Sequence, residues 1–345
     1  MRAVRYDAVG ELPTLVEIDE PVCPDDGVVV AVRATGVCRS DWHAWQGHEE
    51  VALPHVPGHE YAGTVAEVGR DVATVEVGDR VTVPFVLGCG TCDYCRSGEA
   101  QVCPDQLQPG FTLPGSFAEL VAVPRADANV VRLPDEVSYA AAAALGCRFA
   151  TAYRAVVAHG QVQRGQWLAV MGCGGVGLSA VMIAVARGAR VVAVDVRREA
   201  LDSAAELGAE ATLEATDATA DAIRDITGGG AHVGLDAIGD PAAAAASIGA
   251  LRPRGRHVQV GLLVGDDAST ALPMDLVVGR ELAVLGSHGM PAVDYPALLE
   301  LVADGRLRPD RLVTRRIGLE DAGRALAEMS GTGITLVEPQ ETREP

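Results

Sequence analysis

The chain of 345 residues contains no lysine; all 28 of its basic residues are arginine. That absence excludes Schiff-base chemistry, a lysine general base and the phosphate-gripping lysine of Walker-type loops. Aromatic residues are scarce at 4%, and positive charge is outnumbered, 28 against 47 acidic residues, for a formal net charge of −19. A polyanion needs a positive surface, so this balance argues against a nucleic-acid or anionic-membrane partner. No uncharged apolar run reaches about 18 residues, so no membrane span is expected. Met1–Glu20 carries five acidic residues and lacks the apolar stretch of roughly 7–15 residues that a secretory signal needs. A cytoplasmic location is the expectation. Clustered cytosolic thiols bind metal or do redox work more often than they form disulfides.

What is present is a globular composition, 48% hydrophobic and 22% charged, at a length that suggests about two domains. Up to about residue 145 the chain is rich in Val, Gly and Pro. Short apolar runs at Val28–Val32, Thr64–Val68, Val81–Val86 and Phe117–Val123 are separated by turn residues. This reads as antiparallel β-structure in a barrel or sandwich. An Ala-rich helical stretch begins at Ala140. From Gln166 strands and helices alternate: Trp167–Met171, a glycine turn, a helix to Arg187, Val191–Asp195, a helix at Glu199–Leu207, then Val233–Ile238, Pro241–Leu251 and His257–Val260. That rhythm implies βαβ units and a parallel sheet. The acid-rich stretch Glu206–Asp225 reads as a solvated face. The tail reads as helices at Tyr295–Ala303 and Leu319–Met329 around a strand at Leu312–Ile317, with a last strand at Ile334–Val337.

Three constellations carry chemistry. Cys89, Cys92, Cys95 and Cys103 are spaced C-x2-C-x2-C-x7-C. Four thiolates so close together can close a tetrahedral zinc site with no open position, hence a structural one. An iron–sulfur cluster or disulfides are the alternatives. The second set is scattered: Cys38, Arg39, Ser40, Asp41 and His43 in GVCRSDWH, His59 and Glu60 in PGHE, and Cys147 in GCRFAT. Two cysteines, a histidine and a water make a catalytic zinc pattern. Spacing alone does not identify it, and each residue taken singly reads as ordinary packing. The third set is Gly172, Gly174 and Gly177 in GCGGVG, with Gly175 and Val176 between them and Asp195 eighteen residues after the last glycine. Following a strand and opening a helix, this is the context of the dinucleotide fingerprint, with pyrophosphate at the helix N-terminus and the acid on the adenine ribose. Asp195 favours NAD over NADP, while Arg197 and Arg198 could meet a 2′-phosphate.

With these motifs in this order, the chain resembles the zinc-dependent medium-chain alcohol dehydrogenases, over nearly its whole length and in the shorter bacterial form. The resemblance implies a GroES-like β-rich catalytic domain, 1–149 and 289–345, interrupted by a doubly wound Rossmann domain, 150–288. It implies two zinc ions per chain, NAD, and a homotetramer. Cys38, His59 and Cys147 are then similar to the catalytic zinc ligands, Glu60 to the acid beside the metal and Asp41 to the carboxylate that orients His59. Ser40 and His43 resemble a proton relay running through the cofactor ribose. Arg39 resembles the pyrophosphate partner, Thr151 a nicotinamide contact, and the Val260 backbone the carboxamide acceptor. Two departures touch cofactor affinity: Gly333 and Thr335 occupy a stretch that is often basic, and Ala200 stands where a basic side chain is common.

The implied reaction is hydride transfer between an alcohol, its pKa lowered by zinc from about 16 toward about 7 as for water, and NAD, giving an aldehyde or ketone. Trp42, Trp45 and Phe85 read either as an apolar substrate pocket or as core. His48 and His55 are expected to be solvated, with a place on the pocket rim as the alternative. Cys23 and Cys173 are expected to be unliganded. An NADP-dependent carbonyl reductase of the same fold and a non-enzymatic, zinc-stabilised nucleotide sensor are the competing readings.

Overall fold

A computed structural model describes residues 1–329 and 332–340; the other residues of the expected 289–345 segment lie outside the described residues. The chain divides into two compact units, Met1–Ala150 with Gly289–Pro345, and Thr151–His288.

In the first unit β1 (Arg2–Arg5) pairs with β2 (Thr14–Glu17). A larger sheet is built around β3 (Val28–Gly36), which pairs antiparallel with β4 (Glu60–Val68). β5 (Arg80–Thr82) lies against β4, and β6 (Leu120–Val123) pairs with β3. β7 (Val131–Arg132) extends the sheet beyond β5. Val28, Val30, Val32, Tyr61, Val65 and Val81 form its apolar interior. Pairing in the Val81–Val86 run stops at Thr82, because Pro84 has no N–H to give a ladder. In the β3–β4 register Gly36, the last residue of β3, faces Glu60, the first of β4. Cys38 and His59 therefore leave the sheet at the same end. The helix Tyr139–Ala144, capped by the Ser138 hydroxyl, packs on β3 and β4 and carries Cys147 just beyond its end.

The second unit holds β8 (Trp167–Met171), β9 (Arg190–Asp195), β10 (Ala211–Glu214), β11 (Ala231–Asp236), β12 (Leu251–Gln259) and β13 (Ala283–Gly286). All pair in parallel, in the spatial order β10-β9-β8-β11-β12-β13. This is the doubly wound order, whose direction reverses beside the first strand. β10 lies inside the acid-rich stretch read as a solvated face, and the following helix Thr219–Thr227 begins in it. The acids there point outward, as expected of a solvated face, while Ile223 on the opposite side of the helix is fully buried in the sheet's core. β13 escaped the sequence reading: it alternates half-buried and exposed residues as an edge strand.

The tail returns to the first unit. β14 (Val313–Gly318) runs parallel to β15 (Ile334–Glu338), and β15 pairs with β3. No helix among the described residues is long and apolar enough to cross a membrane.

Candidate metal centres and nucleotide turn

The ligand atoms of Cys38, His59, Glu60 and Cys147 all lie within 4.8 Å of one another. Asp41, fully buried in the helix Arg39–Trp45, organises this cluster. Its Oδ1 sits 2.8 Å from His59 Nδ1 and accepts the Gly58 N–H at 2.9 Å, while Oδ2 accepts the Cys38 N–H at 3.2 Å. Fixing Nδ1 leaves His59 Nε2 buried and without a hydrogen-bond partner among the described residues. An orphaned imidazole nitrogen beside two thiols is the donor set of a borderline-soft cation. Two thiolates and a neutral imidazole also neutralise a dication. The thiols share a proton unequally. The hydrogen bond from Cys147, with the charge of Arg148, pulls Cys38 well below a usual thiol despite burial. The same bond and burial push Cys147 up. Burial opposes ionisation of His59, but the charge of Asp41 prevails and raises it.

Glu60 has a role that the sequence did not disclose. Its Oε1 accepts the N–H groups of Cys147 and Arg148 and the Arg148 Nε–H, each at 3.0 Å, and its Oε2 pairs with the Arg148 guanidinium. The carboxylate is thus tied to the turn Leu145–Phe149 that presents Cys147. Gly146 permits this approach: a Cβ there would stand 2.5 Å from Glu60 Cβ. Arg148, buried next to a proposed ligand, was missed because an arginine inside an apolar segment carries no partner in its own spacing.

Around the cluster, Ser40 Oγ lies 4.0 Å from Cys38 Sγ. His43 is half-buried. Arg39 is exposed and stacks over the Trp42 ring at 4.9 Å. Trp45 belongs to the core: it packs with Val4, Tyr6, Phe117 and Leu326 and donates its indole N–H to Glu11 O. Phe85 stands edge-on to His59 at 6.0 Å, and Phe111, which sequence reasoning did not single out, lies closer at 5.0 Å. His48 is exposed. His55 is buried, contrary to expectation: its Nε2 meets Gly110 O at 2.8 Å and its ring packs against Tyr6, so the loop site is sealed by a carbonyl and an aromatic.

Cys89, Cys92, Cys95 and Cys103 form a second cluster. The Cys89–Cys95 and Cys92–Cys103 sulfur separations are 3.9 and 3.7 Å. Zinc–sulfur bonds of about 2.3 Å set tetrahedral sulfurs about 3.8 Å apart. Backbone N–H groups of Thr91, Cys92 and Cys95 point at the sulfurs. The hydroxyl and N–H of Thr91 bring Cys89 down to about 5, while burial pushes Cys95 up to about 12. Asn129 anchors the lobe through both polar groups of Gly88. Cys23 and Cys173 join neither cluster.

In the second unit β8 runs into Gly172, and the helix Gly175–Ala186 opens after Gly174. A Cβ at Gly177 would meet Gly172 O at 1.7 Å, so strand and helix can approach only through glycine there. A Cβ at Gly174 would meet nothing, which leaves its backbone open to a phosphate. Gly175 and Val176 supply the first-turn N–H groups. Asp195 ends β9 with Oδ2 on the Cys173 N–H at 2.8 Å and Oδ1 on the Arg197 N–H at 2.9 Å; Arg197 Nε is 3.4 Å from the same oxygen. Thr151 is buried, and the Val260 N–H is used by Asp236 O at 3.0 Å, so the carbonyl is the other backbone polar group of that residue.

Comparison with known proteins agrees with this anatomy. Residues 24–135 match the alcohol dehydrogenase GroES-like domain and residues 175–304 the zinc-binding dehydrogenase family. An alcohol dehydrogenase of Geobacillus stearothermophilus is 34% identical over 313 residues, 90% of each chain. An NAD-dependent alcohol dehydrogenase of Sulfurisphaera tokodaii is 33% identical over 340 residues, 94% of this chain and 95% of that one. The solved structure of an alcohol dehydrogenase from Thermus superposes with a TM-score of 0.92 at 31% identity, covering 99% of this chain and all of the other. The chain belongs to the zinc-dependent medium-chain alcohol dehydrogenase family, with the GroES-like and Rossmann folds of that family.

Proposed function

We propose that the chain is a zinc- and NAD-dependent alcohol dehydrogenase that interconverts an alcohol, primary or secondary and apolar, with its aldehyde or ketone. The observation that carries this reading is the convergence of Cys38, His59 and Cys147 within 4.8 Å, with His59 Nε2 orphaned and Nδ1 held by Asp41. Cys38, His59 and Cys147 would hold the catalytic ion and the four-cysteine lobe a structural one, two per chain. When bound, zinc supplies Lewis acidity toward the alcohol oxygen and nicotinamide supplies the hydride acceptor.

The chain's own residues do the rest. Asp41 fixes the His59 tautomer. Glu60 and Arg148 hold the turn that aims Cys147. Ser40 Oγ, beside Cys38, takes the substrate hydroxyl proton, and His43 moves that proton outward. Phe85 and Phe111 flank His59 with apolar rings suited to an apolar alcohol carbon, with Trp42 at the rim. The Gly172–Gly177 turn binds pyrophosphate, assisted by Arg39. Asp195 takes the adenine ribose, and Thr151 and the Val260 backbone take the nicotinamide end. We further infer a cytoplasmic homotetramer, which light scattering would test.

Metal analysis should return two zinc ions per chain. Absorbance of reduced nicotinamide should rise with NAD and a panel of aliphatic, benzylic, terpenoid and polyol alcohols, but not with NADP. No turnover with any alcohol or carbonyl, at full zinc content, would favour the nucleotide-sensing alternative. A second enzymatic reading, an NADP-dependent carbonyl reductase, is favoured by one observation: Arg197 lies against Asp195, where a 2′-phosphate would need a cation.

A further inference from the structure

The helix Arg39–Trp45 ends in a Schellman turn. Gly47, at φ +80°, donates its N–H to Ala44 O at 3.0 Å, and His48 donates its N–H to His43 O at 2.9 Å. Such a turn folds locally and usually closes on an apolar contact between the two residues it brings together. Here both are histidines, and their Nδ1 atoms stand 2.9 Å apart. One Nδ1 carries the proton and the other accepts it. Trp42 braces the pair edge-on, its ring 5.2 Å from that of His43 and 5.7 Å from that of His48. His43 is half-buried and His48 exposed, so the hydrogen bond runs from the helix toward water.

The ionisable groups that face His43 are His48, and Arg39 and Cys38 at the start of its own helix. Burial first, then the charges of His48 and Arg39, hold His43 below its ordinary 6.5, against the pull of Cys38. The ring is thus held neutral, and a proton that it takes up is readily passed on. Chelation of a metal by the same pair is the competing use. Among the described residues no third histidine, cysteine or acid completes such a site, whereas proton transfer needs only the two rings.

We propose that His48 is the outward station of a two-imidazole proton path: a proton taken up at His43 Nε2 displaces the shared Nδ1 proton toward His48, and His48 releases one from Nε2 to water or buffer. One proton enters and one leaves, and both rings end in the opposite tautomer; with the Nδ1···Nδ1 bond broken, each ring regains its starting tautomer by taking one proton from water and giving one back. The inference rests on the alcohol-oxidising reading above and deepens it. His48 touches no substrate; it is a positioning and relay residue acting through His43.

Two variants test it. His48→Phe keeps the edge contact with Trp42 and removes the acceptor. His48→Gln keeps a hydrogen bond but cannot pass a proton from one ring nitrogen to another. Zinc content and cooperative unfolding establish that each is folded, and the Gln variant stands in if the Phe variant is not. In dilute buffer both should turn over roughly 10-fold more slowly, a fraction of what a positioned acid–base group contributes. KM for the alcohol should be unchanged, the pH limb of kcat displaced, and the rate restored by added imidazole. Nitrogen NMR of the wild-type protein should show one proton shared between the two Nδ1 atoms, a signature absent in His48→Phe and independent of turnover. Unchanged buffer and pH dependence in the folded variants, or no shared proton, overturns the proposal. If His43→Ala also keeps the wild-type pH profile, the relay reading beneath it falls as well. An impaired His43→Ala beside intact His48 variants sinks this proposal alone.

Discussion

Cys89, Cys92, Cys95 and Cys103 gather within fifteen residues of chain, whereas Cys38, His59 and Cys147 gather across 110. The first cluster is made by its own turns, whose N–H groups already point at the sulfurs. The second exists only because β3 and β4 pair with Gly36 opposite Glu60 and because the helix Tyr139–Ala144 docks on both strands. Closing a short loop costs little entropy, and closing long ones costs more. The lobe can therefore organise locally, while the other centre is a consequence of the finished fold. It also carries buried charged supports, Asp41 and Arg148, where the lobe has the neutral amide of Asn129. A site whose ligands are held by distant elements is pre-organised against the ion it receives; a site held by its own turns staples a loop.

The sharpest way to break this contrast is Cys147→Ala. It should reduce alcohol turnover to background and the zinc content from two to one per chain while the lobe stays filled. Loss of both ions would mean that the centres are not independent. Asp41→Asn comes next. The amide cannot balance the imidazole as a carboxylate does, and outer partners of this kind are worth about 10–100-fold in metal affinity or activity. Competition with a graded series of chelators would measure the shift, and an unchanged affinity would show that Asp41 supports only the backbone of Gly58 and Cys38.

Cys95→Ser should act in the opposite sense. Initial turnover should stay within a few-fold of the parent, while thermal unfolding moves down by several degrees and the lobe becomes open to proteolysis, since structural zinc contributes folding energy at its own site. A Cys95→Ser protein with normal unfolding and no activity would reverse the assignment of the two centres.

The smallest effect concerns the loop that leads into His59. Burial holds His55 below its ordinary 6.5, against the hydrogen bond to Gly110 O. The unfolded chain then takes up a proton before the folded one does. Stability is complete above about 6.5 and declines as pH falls below it, until the folded His55 titrates in turn. His55→Gln should flatten the dependence of the melting temperature on pH below about 6.5. An identical slope in parent and variant would assign the acid sensitivity elsewhere, His257 being the other strongly buried histidine held low.

Legibility followed the same division. The C-x2-C-x2-C lobe and the GCGGVG turn are dense in residues whose chemistry shows in their spacing, and both read directly. Cys38, His59 and Cys147 are legible as individual residues, but only the family resemblance joined them before the fold did. Phe111, Arg148 and the pairing of His48 with His43 went unread. Phe111 and Arg148 act on partners 52 and 88 positions away in sequence. The histidine pair depends on a turn at Gly47 whose left-handed geometry the local pattern only hints at. His55 misled for another reason: a histidine in a loop suggests solvent, and here a carbonyl partner and the Tyr6 ring turn it inward.

By itself the amino-acid sequence determined the parallel and antiparallel halves of the chain, the four-thiol loop and the phosphate turn, because each is set by interactions within a few residues along the backbone. Only the tertiary structure decided that His59 keeps one buried nitrogen without a hydrogen-bond partner among the described residues, that Glu60 is bound to Arg148, and that Trp45 is core. Those outcomes depend on strand register and helix docking, where a shift of one residue would turn every side chain to the opposite face.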